Sequence, residues 1–458
     1  MTDVHHKRVL VMGLGLHGGA VAVVRWLVEQ GALVTVTDLR DRKTLAPSIR
    51  ELKKLSVTYV LGKHRNQDID SAELIVKNPA VPPESSYLRR AHAKRIPVVS
   101  DIQLFFERCP ARIIGITGTK GKSTTSALVY EMLKKRWPTT ALAGNSVGSP
   151  LSLLRSLHQH DRVVLELSSW QLEDVARAKM SPHVSLVTNI SADHLNRHGS
   201  MSAYVQAKRN ILNFQTASDT AALNYDDVRV RALAKFVRGN ILWFSSNPQK
   251  ISPVYYPSEG WVMRRRYASV AKTASTTDRK IAGRHNLVNI VAATAIADFE
   301  GVPHRTITAV IAAFKGIAGR MELLGVKKGV RYINDTTATA PAAAIAALEA
   351  IHGRILLIAG GSDKNLPLEG LAQAIARRTD AVFLLPGTAT KKLSLLLSRQ
   401  GVHAELVATM TSAVRRAARH AKAGDTVLLS PGVASFGLFL HEFDRGDAFK
   451  KIFRTLPA

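Results

Sequence analysis

At 458 residues, 46% of them hydrophobic and 21% charged, the chain is long enough to bury several cores and reads as globular. No apolar run approaches the roughly 18 residues of a membrane span, and a single cysteine, Cys109, excludes an intrachain disulfide. The net charge of +28 is spread along the whole chain without zinc-finger spacing, an RNA-recognition pattern or a basic helix; it reads as a surface bias toward polyanionic small molecules, with no nucleic-acid partner expected.

Met1 to Lys7 pass straight into a buried-strand pattern, Arg8-Val9-Leu10-Val11-Met12, with no signal-peptide pattern, so a reducing, cytoplasmic setting is expected. Gly13-Leu14-Gly15-Leu16-His17-Gly18 follows, then an apolar helix through Leu27 and a second strand, Leu33 to Thr37, ending at Asp38. This is G-x-G-x-x-G between a strand and a helix, with an acidic residue twenty positions after Gly18. Such units bind dinucleotides, mononucleotides or nucleotide sugars. Strands near Val57–Val60, Leu74–Val76 and Val98–Val99 continue the alternation. Cys109 beside Pro110 marks a linker, and its thiol is expected to be inert.

A second module opens with the strand Arg112 to Thr117 and the turn Gly118-Thr119-Lys120-Gly121-Lys122-Ser123-Thr124, followed by an amphipathic segment, Ser126 to Leu133. A strand feeding a glycine turn and a helix cradles phosphate, because backbone N–H groups and the helix N-terminus converge on the anion. Lys122 is expected on the terminal phosphates and Ser123 on Mg2+. The usual phosphate-loop pattern wants Gly five residues before Gly121, where Ile116 stands, so this loop is a shorter variant. The next strand, Arg162 to Leu165, ends at Glu166, the expected second Mg2+ anchor. A strand over Leu186-Val187-Thr188-Asn189-Ile190 leads to Asp193-His194, and a helix carries Ala203 to Lys208. Residues 245–280 read as loops and hairpins. Gly283-Arg284-His285-Asn286-Leu287-Val288-Asn289 starts a long alanine-rich helix.

The third module begins after Gly319-Arg320-Met321-Glu322. Its strands Arg331 to Ile333, Ile355 to Ala359, Val382 to Leu385 and Val427 to Leu429 each end in a polar or small-residue turn: Asn334-Asp335-Thr336-Thr337, Gly360-Gly361-Ser362-Asp363-Lys364, and Ser430-Pro431-Gly432-Val433-Ala434-Ser435-Phe436. This predicts a second doubly wound sheet with ligands at the strand carboxyl ends.

Taken in order over essentially all 458 residues, these motifs resemble the Mur ligase family, and within it the MurD type. The carriers are the 13–18 glycine loop, Asp101-Ile102-Gln103-Leu104-Phe105, the 118–123 loop, Glu166-Leu167-Ser168-Ser169, Asp193-His194, Ala207-Lys208 and His285-Asn286-x-x-Asn289. They continue through Arg320 with Glu322, Asn334-Asp335, Gly361 to Lys364 and Ser430 to Phe436. The resemblance implies an α/β protein of three domains: an N-terminal Rossmann-like UDP-binding domain (1–107), a central ATPase-like parallel sheet with the phosphate loop (108–317), and a C-terminal Rossmann-like, amino-acid-binding domain (318–458).

Such ligases phosphorylate a carboxylate with ATP, and an incoming amine attacks the acyl phosphate to give an amide, ADP and phosphate. For this chain the resemblance implies addition of D-glutamate to UDP-N-acetylmuramoyl-L-alanine in peptidoglycan precursor synthesis, by a cytoplasmic monomer using ATP and Mg2+. It implies that Lys122 neutralises phosphate within the cradle Gly118, Thr119, Lys120, Gly121, Ser123 and Thr124, that Ser123 and Glu166 hold one Mg2+, and that His194 helps to hold a second. Lys208 matches a lysine that the family carbamylates; uncarbamylated, it would be a phosphate-binding cation. Asn286, Arg320 and Asp335 match positions around ATP. Leu16, His17, Asp38, Arg40 and Asn78 match the UDP side, Asn145 the muramoyl-peptide side, and Lys364 and Ser435 the glutamate carboxylates. Gly319 stands where many relatives have His, and Thr337 where better-known members have Lys, so one carboxylate contact is expected to be lost or taken over by a hydroxyl. The aromatic of the Phe436–Phe443 stretch is displaced by one residue. Two alternatives follow: the same ligation with another amino acid, such as L-glutamate, or another Mur step; and, from a different class, a dinucleotide-binding oxidoreductase or sensor using residues 1–107.

Overall fold

Runs of aliphatic and β-branched residues, each ending in a glycine or polar turn, form the strands of three sheets. The computed structural model describes residues 1–457 except 17, 80, 83, 146, 147, 282, 364, 365 and 436. The chain divides into two units, Met1–Phe314 and Lys315–Ala458.

The first unit holds two sheets. One contains β1 (Arg8–Met12), β2 (Leu33–Asp38), β3 (Val57–Leu61), β4 (Leu74–Lys77) and β5 (Val98–Val99), parallel throughout, in the order β3-β2-β1-β4-β5. The order reverses at β1, between β2 and β4, and the crevice at such a reversal is where doubly wound sheets bind ligands.

The other sheet contains β6 (Arg112–Thr117), β7 (Ala141–Gly144), β8 (Arg162–Glu166), β9 (Val184–Val187), β10 (Thr220–Asn224), β11 (Asn240–Phe244), β12 (Val254–Ser258), β13 (Trp261–Arg266) and β14 (Ser269–Ser275). Its order is β14-β13-β12-β11-β10-β9-β6-β8-β7, reversing at β6. The helices Gly19–Glu29 and Lys122–Lys134 both start from a left-handed glycine, Gly18 at φ 76° and Gly121 at φ 83°. Both glycine loops therefore enter their helices with the same backbone turn.

Two expectations need correction. The strand read over Leu186 to Ile190 stops at Val187. Thr188 and Asn189 turn instead toward the phosphate loop, where Thr188 Oγ1 donates to the Lys120 carbonyl at 2.6 Å and Asn189 Nδ2 donates to the same carbonyl at 3.0 Å. Residues 245–280 are more regular than loops and hairpins: β12 joins β11 in parallel, and β13 and β14 extend the sheet as an antiparallel meander, so the central sheet is parallel only in part.

The second unit has one sheet, with β15 (Glu322–Lys327), β16 (Val330–Asn334), β17 (Ile355–Ala359), β18 (Ala381–Leu384), β19 (Ala404–Leu406) and β20 (Thr426–Leu429) in the order β15-β16-β20-β17-β18-β19. All neighbours are parallel except the β15–β16 hairpin.

Asp298 ties the meander to its helix. Its carboxylate accepts from the Tyr255 hydroxyl and Arg264 Nη1, both at 2.7 Å, and lies 2.8 Å from His304 Nε2. Asp298→Ala strands a buried hydroxyl and a guanidinium and is expected to destabilise the protein by about 1–3 kcal/mol. A urea midpoint equal to that of the parent protein would show that the network contributes nothing.

Candidate active site

The phosphate loop leaves β6 at Thr117 and is shaped by contacts that only glycine permits. Gly118 has φ +146°, and a Cβ there would stand 1.9 Å from Thr188 Oγ1; at Gly121 it would stand 2.5 Å from Asn289 Oδ1. The loop backbone is fixed from the neighbouring strand end: Thr119 N donates to the Asn189 carbonyl at 2.8 Å and Lys120 N to Asn189 Oδ1 at 2.9 Å. Lys120 itself is exposed, its amine 3.5 Å from Asp193. Ile116, the missing glycine of the longer loop, is a buried strand residue paired with Glu166 and Leu186.

Two lysines converge on this loop. Lys122 Nζ donates to the carbonyls of Gly118 at 2.9 Å and Thr119 at 3.0 Å, and Lys208 Nζ donates to the same Gly118 carbonyl at 2.8 Å. Lys208 is 1% exposed. Burial, and then the charge of Lys122, pushes its amine down to about 7, against the pull of Asp193. His194 sits at φ 52°, its ring 5.7 Å from that of Trp170 and 6.5 Å from that of Tyr204. Burial lowers its pKa; Asp193 opposes this, and Lys122 and Lys208 add to it. The shift favours the neutral imidazole.

Glu166 ends β8 opposite Ile116 and Gly144, and its side chain is buried. Asn145 N donates to the Glu166 carbonyl at 2.9 Å, and Asn145 Nδ2 reaches Glu166 Oε1 at 3.3 Å. Two residues assigned to different ligands are thus in contact. Ser123 and Thr124 lie in the first turn of the Lys122–Lys134 helix. Asn289, which meets Thr125 Oγ1 at 3.4 Å, also reaches Asn286 Oδ1 at 3.4 Å and so brings Asn286 to the loop. Among the described residues no three His, Cys, Asp or Glu side chains cluster tightly enough to hold a metal alone. One buried carboxylate beside a phosphate cradle nevertheless fits Mg2+, which is commonly held by one or two carboxylates together with substrate phosphates and water.

In the first sheet Asp38 organises the glycine loop. Its Oδ2 accepts from Leu14 N at 2.9 Å and Gly15 N at 3.1 Å, and its Oδ1 from Arg40 N at 2.9 Å. Asn78 N donates to the Met12 carbonyl at 2.9 Å and Asn78 Nδ2 to the Gly13 carbonyl at 3.4 Å. Leu16 lies half-buried on this loop and the Arg40 side chain is exposed; His17 lies outside the described residues.

In the second unit Asp335 is buried at the end of β16. It accepts from Met321 N at 3.1 Å and Ser430 Oγ at 2.8 Å, and burial pushes its carboxyl up to about 6. Arg320, next to Met321 in sequence, is exposed. Thr337 Oγ1 donates to the Gly319 carbonyl at 2.9 Å, so the two departures from the family pattern touch each other. Gly319 has φ +72°, and a Cβ there would lie 2.9 Å from Thr336 Cγ2. The Ser435 hydroxyl is buried with no hydrogen-bond partner among the described residues. Lys364 and Phe436 lie outside the described residues.

Comparison with known proteins bears on the whole length. Residues 7–100 match the Mur ligase MurD-like N-terminal domain, 116–297 the Mur ligase middle domain, and 319–433 the Mur ligase glutamate ligase domain. The UDP-N-acetylmuramoylalanine--D-glutamate ligase of Roseiflexus sp. (strain RS-1) is 44% identical, over 97% of this chain and 98% of its own. The chain belongs to the Mur ligase family. The ligase of the same description from Acetivibrio thermocellus is 33% identical over 99% of this chain and 98% of its own. Among solved structures, the UDP-N-acetylmuramate-alanine ligase MurC of Thermotoga maritima shares the fold at TM-score 0.63 and 18% identity, over 98% of this chain and 100% of that one. The MurF ligase of Thermotoga maritima, solved in complex with ADP, does so at 0.55 and 16%, over 99% of each chain.

Sequence reasoning missed several residues around this Mur ligase site. Thr188 and Asn189 were read as strand. Tyr204, whose hydroxyl lies 3.2 Å from Thr119 Oγ1 and whose ring lies 4.7 Å from Lys208 Nζ, precedes Lys208 by one helical turn, and that spacing was the available signal. Arg445 is buried with Nε 3.1 Å from Thr336 Oγ1 and Nη2 2.8 Å from the Thr336 carbonyl, and burial pushes it down to about 10. Nothing local in the sequence marked it.

The Lys208 amine carries a stability consequence. Its proton is held below about 7 in the folded chain and below about 10.5 in the unfolded one, so the unfolded chain binds more protons between these values and stability rises with pH there. From pH 7 to 9 the parent protein should gain about 2 kcal/mol relative to Lys208→Met. Urea unfolding of both at the two pH values measures this; parallel curves would show that the amine is not depressed.

Proposed function

We propose that this chain is an ATP-dependent ligase that joins D-glutamate to UDP-N-acetylmuramoyl-L-alanine in peptidoglycan precursor synthesis. The observation that carries it is the meeting of Lys122, Lys208 and a helix N-terminus at Gly118, beside the buried Glu166: a site built for a polyphosphate. Full-length similarity to D-glutamate ligases supports the amino acid.

The chemistry has to bring two anions together, the alanyl carboxylate and the γ-phosphate of ATP. A carboxylate oxygen attacks γ-phosphorus, ADP leaves, and an acyl phosphate forms. The free amine of D-glutamate then attacks the carbonyl carbon, loses a proton, and phosphate departs to leave the amide. Lys122 and the loop N–H groups would hold the phosphate oxygens. Ser123 and Glu166 would hold one Mg2+ and His194 would help to hold a second, which would supply positive charge between the two anions. Lys208 would either assist that metal as a carbamate or remain a cation toward phosphate; an amine depressed to about 7 has the free base that carbamylation requires. Asn286, Arg320 and Asp335 would line ATP, and Leu16, His17, Asp38, Arg40, Asn78 and Asn145 the nucleotide-sugar peptide. Ser435, with its unpartnered buried hydroxyl, and Lys364 would receive the glutamate carboxylates. All three substrates are soluble anions found where ATP is made, which supports a cytoplasmic enzyme. One chain carries all three matched domains, and we propose that it acts as a monomer. Similarity to ligases over 97% and 99% of the chain disfavours the oxidoreductase alternative.

Phosphate release from ATP with UDP-N-acetylmuramoyl-L-alanine tests the reading, with D-glutamate, L-glutamate, glycine and meso-diaminopimelate compared side by side. Release with D-glutamate alone is expected, and release with another amino acid would replace the assigned substrate. Lys122→Ala should lower kcat at least about 100-fold; undiminished activity would remove the phosphate role. Ser435→Ala should raise the KM for D-glutamate about tenfold, a loss of roughly one hydrogen bond to a charged group, with the KM for ATP unchanged. Equal KM values would place the amino acid elsewhere.

A further inference from the structure

One buried charged cluster has no part in the chemistry above. Lys77 Nζ lies 2.8 Å from Asp174 Oδ2, with the two side chains 5% and 4% exposed. Asp101, which opens the helix Asp101–Phe106, is buried near them; burial pushes its carboxyl up, and Asp174 adds to this while Lys77 opposes it. Asp174 also accepts, at Oδ1, from Arg177 Nη1 at 3.1 Å, an exposed side chain on its own helix.

The two partners belong to different sheets. Lys77 closes β4 directly beside Met12, the last residue of β1. From these two strand ends depart the Gly13–Gly18 loop and Asn78, which are bonded to each other. Asp174 lies on the helix Ser169–Arg177, which follows Glu166 after two residues and is started by a Ser168–Gln171 capping box. The helix Asp101–Phe106 packs on that same helix. A single N–O contact thus joins the root of the nucleotide-sugar loops to the element leading from the metal-side carboxylate.

Stability alone explains such a pair poorly. Removing both charges from water offsets much or all of their attraction, and two apolar side chains of similar volume often hold a fold as well. What an apolar pair lacks is direction: a short charged contact fixes a distance and a rotation.

We propose that Lys77 and Asp174 are a positioning pair that aligns the nucleotide-sugar loops of the first sheet with the phosphate loop of the second, so that the bound carboxylate meets the γ-phosphate. The proposal rests on the reading that the first domain binds the UDP part of the substrate. Small misplacements of reacting atoms cost large factors in rate, so the pair should act on turnover more than on binding.

The test uses the full-length enzyme. K77M/D174L replaces the pair with apolar residues and leaves neither charge stranded, D174N neutralises one partner at constant shape, and K77R keeps the pair. For each, the thermal midpoint, kcat, the KM for ATP and the Kd for UDP-N-acetylmuramoyl-L-alanine by calorimetry are measured. K77M/D174L and D174N are expected to lose at least tenfold in kcat, with the Kd and the ATP KM within threefold of the parent, while K77R stays within threefold in kcat. Should the double variant not fold, D174N carries the same expectation. Unchanged kcat in either folded variant overturns the proposal, as does a kcat loss matched by an equal loss of ATP affinity. Absence of UDP-N-acetylmuramoyl-L-alanine binding by the parent protein would instead overturn the reading beneath it.

Discussion

Everything at the phosphate side of this protein turns on one carbonyl. The oxygen of Gly118 accepts from Lys122 at 2.9 Å and from Lys208 at 2.8 Å, so two amines share an acceptor that carries only a partial charge. Burial, and then the charge of Lys122, lowers the Lys208 pKa to about 7, against the pull of Asp193. In the proposed reading a polyphosphate entering the loop would bring further anionic oxygens to both amines. His194 shares the same field: its pKa is lowered by burial first and then by Lys122 and Lys208, against Asp193.

A second regularity links all three sheets. Each candidate site is shaped by a polar side chain at a strand end that accepts from backbone N–H groups of a neighbouring loop. Asp38 holds Leu14 and Gly15, Asn189 holds Lys120, and Asp335 holds Met321. For Asp38 and Asn189 the reason is that carboxyl ends of adjacent parallel strands lie side by side, so a residue there reaches the loop leaving the next strand, whereas Met321 enters β15, the antiparallel partner of β16. Loops that must keep some N–H groups free for a ligand are held by the others, and this lets a short glycine loop stay open without collapsing onto itself.

The same device explains what could be read in advance. The strands around Gly118 were legible because a buried parallel strand is a continuous apolar run, and the glycines because positive φ favours that residue. The N-terminal loop was legible for the same reasons, whereas the backbone N–H groups that Asp38 accepts were not, since a motif specifies spacing and not hydrogen-bond partners. Thr188 and Asn189 were extended into a strand because β-branched and polar residues after Val187 keep the local pattern, while their side chains are claimed by Lys120, 68 and 69 residues away in sequence. The meander over β12–β14 was hidden by the proline, serine and charged residues within its strands. Its anchor, Asp298, lies on a helix beyond it. Arg445 and Lys77 share one cause of invisibility: their partners, Thr336 and Asp174, are about a hundred residues distant.

The departures at Gly319 and Thr337 show how such distant partners change the meaning of a substitution. Read singly, each removes a functional side chain, a histidine before Arg320 and a lysine after Thr336. In the folded unit they are one feature, because Thr337 donates both its amide and its hydroxyl to the Gly319 carbonyl. The turn before Arg320 takes a left-handed glycine, and a larger residue there would press on Thr336, which Arg445 fixes from the other side. The hydroxyl of Thr337 is therefore spent on the backbone and is no replacement for a lysine toward a carboxylate. Ser435 is buried with no hydrogen-bond partner among the described residues. In the proposed reading Lys364 remains the cation toward the glutamate carboxylates, and a chain carrying 63 Lys and Arg against 35 Asp and Glu would add a general attraction for anionic substrates.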